Sequence, residues 1–213
     1  HADIVIVNIL FLEAHVQAIL PALQARRDAC DAMVCVIADT ALTNLTKMGD
    51  VDLSKPSSPA MKMLKKLKPN TKKKTKSGES QMKMLRRLPK ILKFIPGKAQ
   101  DLRAYFLTME YWLGGSDDNV EQMIRFLVSR YSTNPVWNTV EAAAPIVYPE
   151  VGLYHPDLAG HHITTDLAAL PTPPNATMTV GILMLSSYLL SGDAAHYDPV
   201  IREFEDRGIK VVA

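Results

Sequence analysis

Residues 3–12, DIVIVNILFL, form an almost unbroken run of aliphatic, largely β-branched side chains, and a second run, AMVCVIA at 32–38, follows after a helix-length interval. Runs without polar alternation are what a strand carries when both its faces are covered, as in a parallel sheet. Between them Val16, Ile19, Leu20 and Leu23 recur at helical spacing across 13–29, with Pro21 expected to bend the helix because it offers no N–H. Strand, helix, strand is one βαβ unit with a right-handed crossover. The same order returns near the other end. Residues 179–185 (TVGILML) read as a buried strand, 186–193 as a loop, and 194–207 as a helix with Tyr197, Val200, Ile201 and Phe204 inward; Gly208 stops it and 209–212 start another strand. The predicted fold class is α/β, with two small βαβ (parallel-sheet) units.

A helical pair lies between them. Leu102, Tyr105, Phe106, Met109, Trp112 and Leu113 mark one apolar stripe, and Val120, Met123, Ile124, Leu127, Val128 and Tyr131 a second, which predicts two helices packed face to face. Gly114 and Gly115 stop the first helix, since glycine reaches positive φ without a Cβ clash. Ser116 is placed to cap the second, with Asp117 and Asp118 in a first turn where carboxylates suit the positive end of the helix dipole. Asp39-Thr40 starts a short helix expected to end at Met48-Gly49, residues 49–59 read as loop, and Pro89 divides 81–95 into two short helices. Seven prolines between Pro135 and Pro174 make 132–177 extended or irregular. The expected partition is a first α/β unit at 1–50, a basic linker with helices at 51–98, the helical pair at 99–132, an extended Pro-rich connection at 133–178, and the start of a second α/β unit at 179–213.

The net charge of +2 hides an uneven distribution. Residues 55–98 hold 15 Lys and Arg against the single acid Glu79, so this stretch carries +14 and the rest of the chain −12. Such a patch suits nucleic acid, an anionic membrane surface or an acidic partner, or is a solvated insertion, since 69–78 (PNTKKKTKSG) has no apolar anchor. Aromatic side chains for base stacking are missing between Lys55 and Lys93, which weighs against nucleic acid. No apolar run approaches the roughly 18 residues that span a bilayer, so membrane contact is expected to be peripheral at most. Two cysteines, Cys30 and Cys35, exclude a disulfide framework and make a cytosolic compartment the default. The absence of an initial methionine and the close on a strand-like IKVVA suggest a piece of a longer polypeptide.

The sequence lacks G-x-x-x-x-G-K-[ST], G-x-G-x-x-G, H-E-x-x-H and G-x-S-x-G, so the familiar signatures of nucleotide, zinc-protease and serine-hydrolase chemistry are missing. His161-His162 offer imidazoles, but adjacent residues rarely point the same way, and no metal site is assigned. The string 148–156 (YPEVGLYHP) combines Glu150, Tyr154 and His155 in a stiff segment, explained equally by packing or by ligand contact. Ser187, Asp193 and His196 lie on the loop that follows the strand at 179–185, where open α/β sheets place ligands; Asp193 capping the helix, with His196 in its first turn, is the competing reading. Trp112 is suited to stack on a flat ligand, yet its place on the stripe favours the core.

Several strings, in order along nearly the whole chain, resemble one family. They are 9–13 (ILFLE) with 16–21 (VQAILP), 84–90 (MLRRLPK), 111–116 (YWLGGS), 148–156 (YPEVGLYHP) and 188–198 (YLLSGDAAHYD). All look like the amino-terminal portion of the large, porphyrin-binding subunit of magnesium chelatase; the related cobalt chelatase subunit is similar mainly at the glycine turn with Asn119 and at the last βαβ unit. The resemblance implies binding of protoporphyrin IX and a place in the ATP-dependent insertion of Mg²⁺, the substrate ion, on the way to chlorophyll or bacteriochlorophyll. ATP would be hydrolysed by two AAA+ type partner subunits, the next methyltransferase of the pathway is a further partner, and the compartment would be cytoplasm or plastid stroma. Trp112, Glu150, Tyr154, His155, Ser187, Asp193 and His196 are the candidate substrate-binding residues. One departure stands out: the family often carries an arginine close to Ser186-Ser187, and this sequence has none between Arg130 and Arg202.

Overall fold

The computed structural model describes residues 3–55 and 99–213; most of the predicted basic linker, including the two short helices at 81–95, lies outside them. The chain separates into unit 1, His1–Leu113 with Glu121–Pro145, and unit 2, Gly114–Val120 with Ile146–Ala213. Both contain helices and sheets, as the α/β expectation requires.

In unit 1, β1 (Ile4–Asn8) runs parallel to β2 (Ala32–Val36), with α1 (Glu13–Arg27) between them in sequence. Side chains of successive strand residues point to opposite faces, and here each face has its own core. Ile4, Ile6, Ala32, Val34 and Val36 join a cluster with Leu102, Phe106 and Leu127. Val5, Val7, Met33 and Cys35 join another with Val16 and Leu42. Helices therefore cover the sheet on both sides, which is why neither strand alternates with polar residues. All five residues of β2 are buried, and burial pushes the Cys35 thiol up to about 11.

Both strands end before their apolar runs do. Ile9 and Ile37 each turn at φ 49°, a left-handed conformation that costs a β-branched residue about 1–2 kcal/mol. The Ile9 N–H donates to Ile37 O at 2.9 Å and the Asp39 N–H to Leu10 O at 2.8 Å, so the strained turns hold one another. Residues 9–12 thus leave the sheet as the entry to α1, and α1 continues through Pro21. The predicted helix from 39 to 48 shrinks to α2 (Thr40–Thr43), where the Asp39 carboxylate accepts from the Ala41 N–H at 2.8 Å. Its second half, together with the start of the predicted loop, instead forms a hairpin of β3 (Lys47–Met48) and β4 (Val51–Asp52). Gly49 supplies the positive φ of 54° that a two-residue hairpin turn demands, and Met48 and Val51 are fully buried. Because β3 is antiparallel to β2, the sheet is mixed.

The helical pair is present as α3 (Ala99–Gly114) and α4 (Asp117–Tyr131). Leu102, Tyr105 and Phe106 are buried as expected. Farther along, however, Thr108 and Tyr111 take the inner positions, and Met109 and Trp112 are half-buried against the same core. Tyr111 meets Phe126 with ring centroids 5.9 Å apart, so Phe126 replaces the predicted Ile124, which is 47% exposed. Ser116 Oγ accepts from the Asn119 N–H at 3.2 Å, the predicted cap. Of the two glycines only Gly115 has positive φ, 68°. Gly114 is required for room: a Cβ there would lie 2.2 Å from Asn119 Nδ2.

Unit 2 holds two small sheets. β5 (Leu153–Tyr154) and β6 (Ile163–Thr164) are antiparallel, and β7 (Met178–Gly181) and β8 (Ile209–Val212) are parallel. Between β7 and β8 come α5 (Ser186–Leu190), over residues read as loop from the sequence, and α6 (Asp198–Asp206), four residues shorter at its start than predicted. Pro199 in its first turn lacks only an N–H that the helix would leave unbonded. Tyr154, Ile201 and Val211 form the core. The predicted buried strand at 179–185 is a four-residue strand that is largely exposed.

Candidate functional site: a cleft at the carboxyl end of β7

Beyond Gly181 the chain alternates. Ile182 and Met184 turn toward the core of unit 2, while Leu183 and Leu185 are 101% and 62% exposed. The Ile182 N–H still donates to Val212 O at 2.9 Å, and one residue on, the Tyr154 N–H donates to Ala213 O at 2.9 Å. The stiff segment 148–154 is thereby held beside the carboxyl ends of β7 and β8. Between them lies a cleft of about 310 Å³, lined among others by Tyr148, Glu150, Tyr154, Met184, Ser186 and Leu189. Its walls are mainly apolar. It sits where an open α/β sheet receives ligands, outside the carboxyl ends of parallel strands.

Tyr154 is buried, and its hydroxyl donates to Asp198 Oδ1 at 2.6 Å. Burial first, and then the neighbouring Asp198 carboxylate, hold the phenol well above its usual range. It therefore stays protonated and presents an apolar ring to the cleft. His155 faces the other way: it is 1% exposed, its Nδ1 accepts from the Asp157 N–H at 3.1 Å, and its Nε2 donates to Glu205 Oε1 at 2.9 Å. The ring ties the 153–157 segment to α6 with both nitrogens spent. Arg202 pairs with Asp157 and reaches Glu205 at 3.6 Å, completing this structural network.

Of the seven sequence-derived candidates, the cleft lining includes Glu150 and Tyr154. His155 lies behind it. Ser187 is exposed on α5, Asp193 is exposed after it, and His196 precedes α6 instead of occupying its first turn. Asp193 caps no helix; the N-cap of α6 is Tyr197 and makes no side-chain cap bond. The His196 ring lies 3.9 Å from Tyr197 and 5.4 Å from Tyr188, centroid to centroid, forming an exposed aromatic cluster. Trp112 belongs to unit 1. Among the described residues no three His, Cys, Asp or Glu side chains gather into a metal cluster; His161 Nε2 lies 2.9 Å from Tyr148 Oη and 3.2 Å from Asp118, while His162 Nδ1 lies 2.6 Å from Leu158 O. Sequence reasoning missed Met184 and Leu189 as lining, because ILML at 182–185 is apolar throughout and gives no alternation that would tell one face from the other.

Two family models divide the chain. Residues 1–106 match a domain of unknown function, DUF3479, and residues 109–213 match CobN/Magnesium Chelatase. The magnesium-chelatase H subunit of Cereibacter sphaeroides is 61% identical over 211 residues. Residues 109–213, just under half of the chain, thus carry a CobN/magnesium chelatase domain. The corresponding protein of Rhodobacter capsulatus is 58% identical over the same length, and the chloroplastic magnesium-chelatase protein ChlH of Oryza sativa subsp. indica 28% over 228 residues. Each alignment takes in 99% of this chain, but only 18% of the two bacterial relatives and 16% of the rice one. The chain thus spans under a fifth of the length of these chelatase subunits. The CobN/magnesium chelatase match includes the cleft, the His155 network and the aromatic cluster.

Proposed function

We propose that this chain is the amino-terminal part of the porphyrin-binding subunit of a magnesium chelatase, which inserts Mg²⁺ into protoporphyrin IX for (bacterio)chlorophyll synthesis while partner subunits of the AAA+ kind hydrolyse ATP. The observation that carries the reading is 61% identity across 99% of the chain to a magnesium-chelatase H subunit. Within it, the two parallel strand pairs act as small βαβ frameworks, and the cleft of unit 2 contributes one wall to the tetrapyrrole site.

The chemistry of the cleft supports a wall and nothing more. At about 310 Å³ it is at the small end of ligand sites, so a macrocycle would be only partly enclosed. Its apolar faces and protonated Tyr154 suit the flat face of the ring. The sequence has neither Arg nor Lys from 131 to 201, so the propionates must find cations elsewhere. Mg²⁺ gives up its water shell reluctantly and the ring must lose two protons; Glu150 is the one carboxylate lining the cleft, so the reading assigns this cleft no part in those steps. In the full-length subunit, Val151→Asp, at an 85% exposed position of the cleft lining, should weaken protoporphyrin IX binding, read by Soret absorbance, by about tenfold at unchanged circular dichroism. Unchanged affinity would confine these residues to framework.

A second reading is favoured by the charge of +14 over 55–98: this segment docks an acidic partner or lipid head groups without touching substrate. Such binding must weaken with salt, because the Debye length falls to about 3 Å at 1 M. Attachment that persists in high salt would count against it.

A further inference from the structure

The β7–β8 pair is an incomplete sheet. Parallel strands ordinarily lie covered on both faces, and two strands alone are marginal. Among the described residues β7 has β8 as its single neighbour. The Ile182 N–H is committed to Val212 O. Because successive residues of a strand turn their N–H and C=O to opposite sides, Val180 also faces β8. Thr179 and Gly181 turn theirs to the far edge.

That edge carries none of the features that keep exposed strands from pairing. The sequence MTVG has no lysine, proline or charge. It also carries uncovered apolar surface, with Met178 61% exposed; Leu183 and Leu185 beyond it belong to the cleft. The end of β8, by contrast, is already met by the Tyr154 N–H.

We propose that a segment of the polypeptide outside residues 1–213 pairs as a strand along the free edge of β7 and covers Met178. The inference rests on the reading of this chain as part of a longer subunit. That reading supplies the occupant: relatives 58–61% identical are more than five times as long, so most of their chain lies outside the matched stretch. A second copy is a poorer occupant. Four strand residues and the Met178 side chain fall far short of the roughly 1,000 Å² that a specific interface between separate chains needs, whereas a tethered segment is present at an effective concentration of about millimolar.

The test uses the full-length subunit. Residue-resolved hydrogen exchange should find the Thr179 and Gly181 amides protected to within about tenfold of Val180; exchange at least about 100-fold faster than Val180 overturns the proposal. A photo-crosslinking residue at Met178 should give an intramolecular adduct to a peptide outside 1–213. An adduct to residues 56–98, to a second copy or to another protein, or no adduct, overturns it. Thr179→Pro removes an N–H that β8 does not use, so it should be harmless on an open edge. A lowering of Tm by several degrees is expected, and no change overturns the proposal; should the variant not fold, the wild-type exchange experiment decides. Porphyrin affinity, measured on the same protein, reports the functional reading separately.

Discussion

The two units build parallel strand pairs from similar ingredients and reach opposite degrees of completion. In unit 1, β2 is buried at all five positions, flanked by β1 and β3, with a separate apolar cluster on each face. In unit 2, β7 leaves three of four residues exposed, and its sheet has two strands. Part of the difference is β-propensity, since TVG carries a glycine where VIV has three β-branched residues. The larger part lies in what arrives to cover them. Unit 1 receives α1 and α2 on one face and the α3–α4 pair on the other, whereas the core of unit 2 rests on Tyr154, Ile201 and Val211. A strand is as stable as the layers that reach it.

The comparison breaks most visibly under paired methionine truncations in the 213-residue chain. Met33→Ala empties a fully buried site in β2 and should cost about 2–5 kcal/mol in denaturant unfolding. Met178→Ala, at a 61% exposed site in β7, should stay within about 0.5 kcal/mol. Equal effects would show that β7 is covered by residues 56–98.

Next in size is His155→Ala. Removing a buried ring that holds Glu205 and the Asp157 N–H should cost about 2–3 kcal/mol, with faster hydrogen exchange confined to unit 2. A stable variant that lost porphyrin affinity would instead make His155 a ligand contact.

Acid should act on unit 1. Burial raises Asp52, but hydrogen bonds from Ser54 and Lys55 and the charge of Arg27 outweigh it and bring the carboxyl down to about 2. A carboxyl lowered on folding adds stability above its unfolded value near 4 and loses it as the pH falls toward 2. Asp101 behaves likewise: burial opposes ionisation, yet the Asp50 N–H, Tyr131 and Arg130 hold it below its usual value. Asp52→Asn should remove about 1–2 kcal/mol at neutral pH, reduced by solvent screening, and flatten the acid limb of the stability curve. Smallest is Ser116→Ala, which frees the Asn119 N–H and should cost about 1 kcal/mol, seen as a lower Tm.

Much of unit 1 was legible because its signals are local and mutually consistent. The unbroken runs at 3–12 and 32–38 announced a two-sided sheet, and in unit 2 Ser116 announced a cap. What was not legible depended on tertiary context. Nothing in 9–12 tells that Ile9 turns left-handed; that follows from its bond with Ile37. Met48 and Val51 are too few to show a strand pattern, and only their burial against α3 makes the hairpin worth forming. At the cleft, Glu150 and Tyr154 were found because the string 148–156 is chemically unusual. His155 looked equally suitable, but strand alternation turns it away from Tyr154 and toward Glu205. The start of α6 was misplaced because Asp193 is a good cap in sequence, while Pro199 decides where the helix begins.

The asparagine at 119 clasps Ile146 from both ends of its amide, giving a hydrogen to O at 3.0 Å and taking one from N at 2.8 Å, and it sits where any side chain at 114 would have to go. The two positions are therefore bound to drift as a pair. Gly114→Ala should be harmful alone and less so once Asn119 has been shortened to alanine, the remaining close neighbour being Ile146 O at 3.3 Å, so a double-mutant cycle should show epistasis. Descendants of this sequence that lose the asparagine would be freer to lose the glycine.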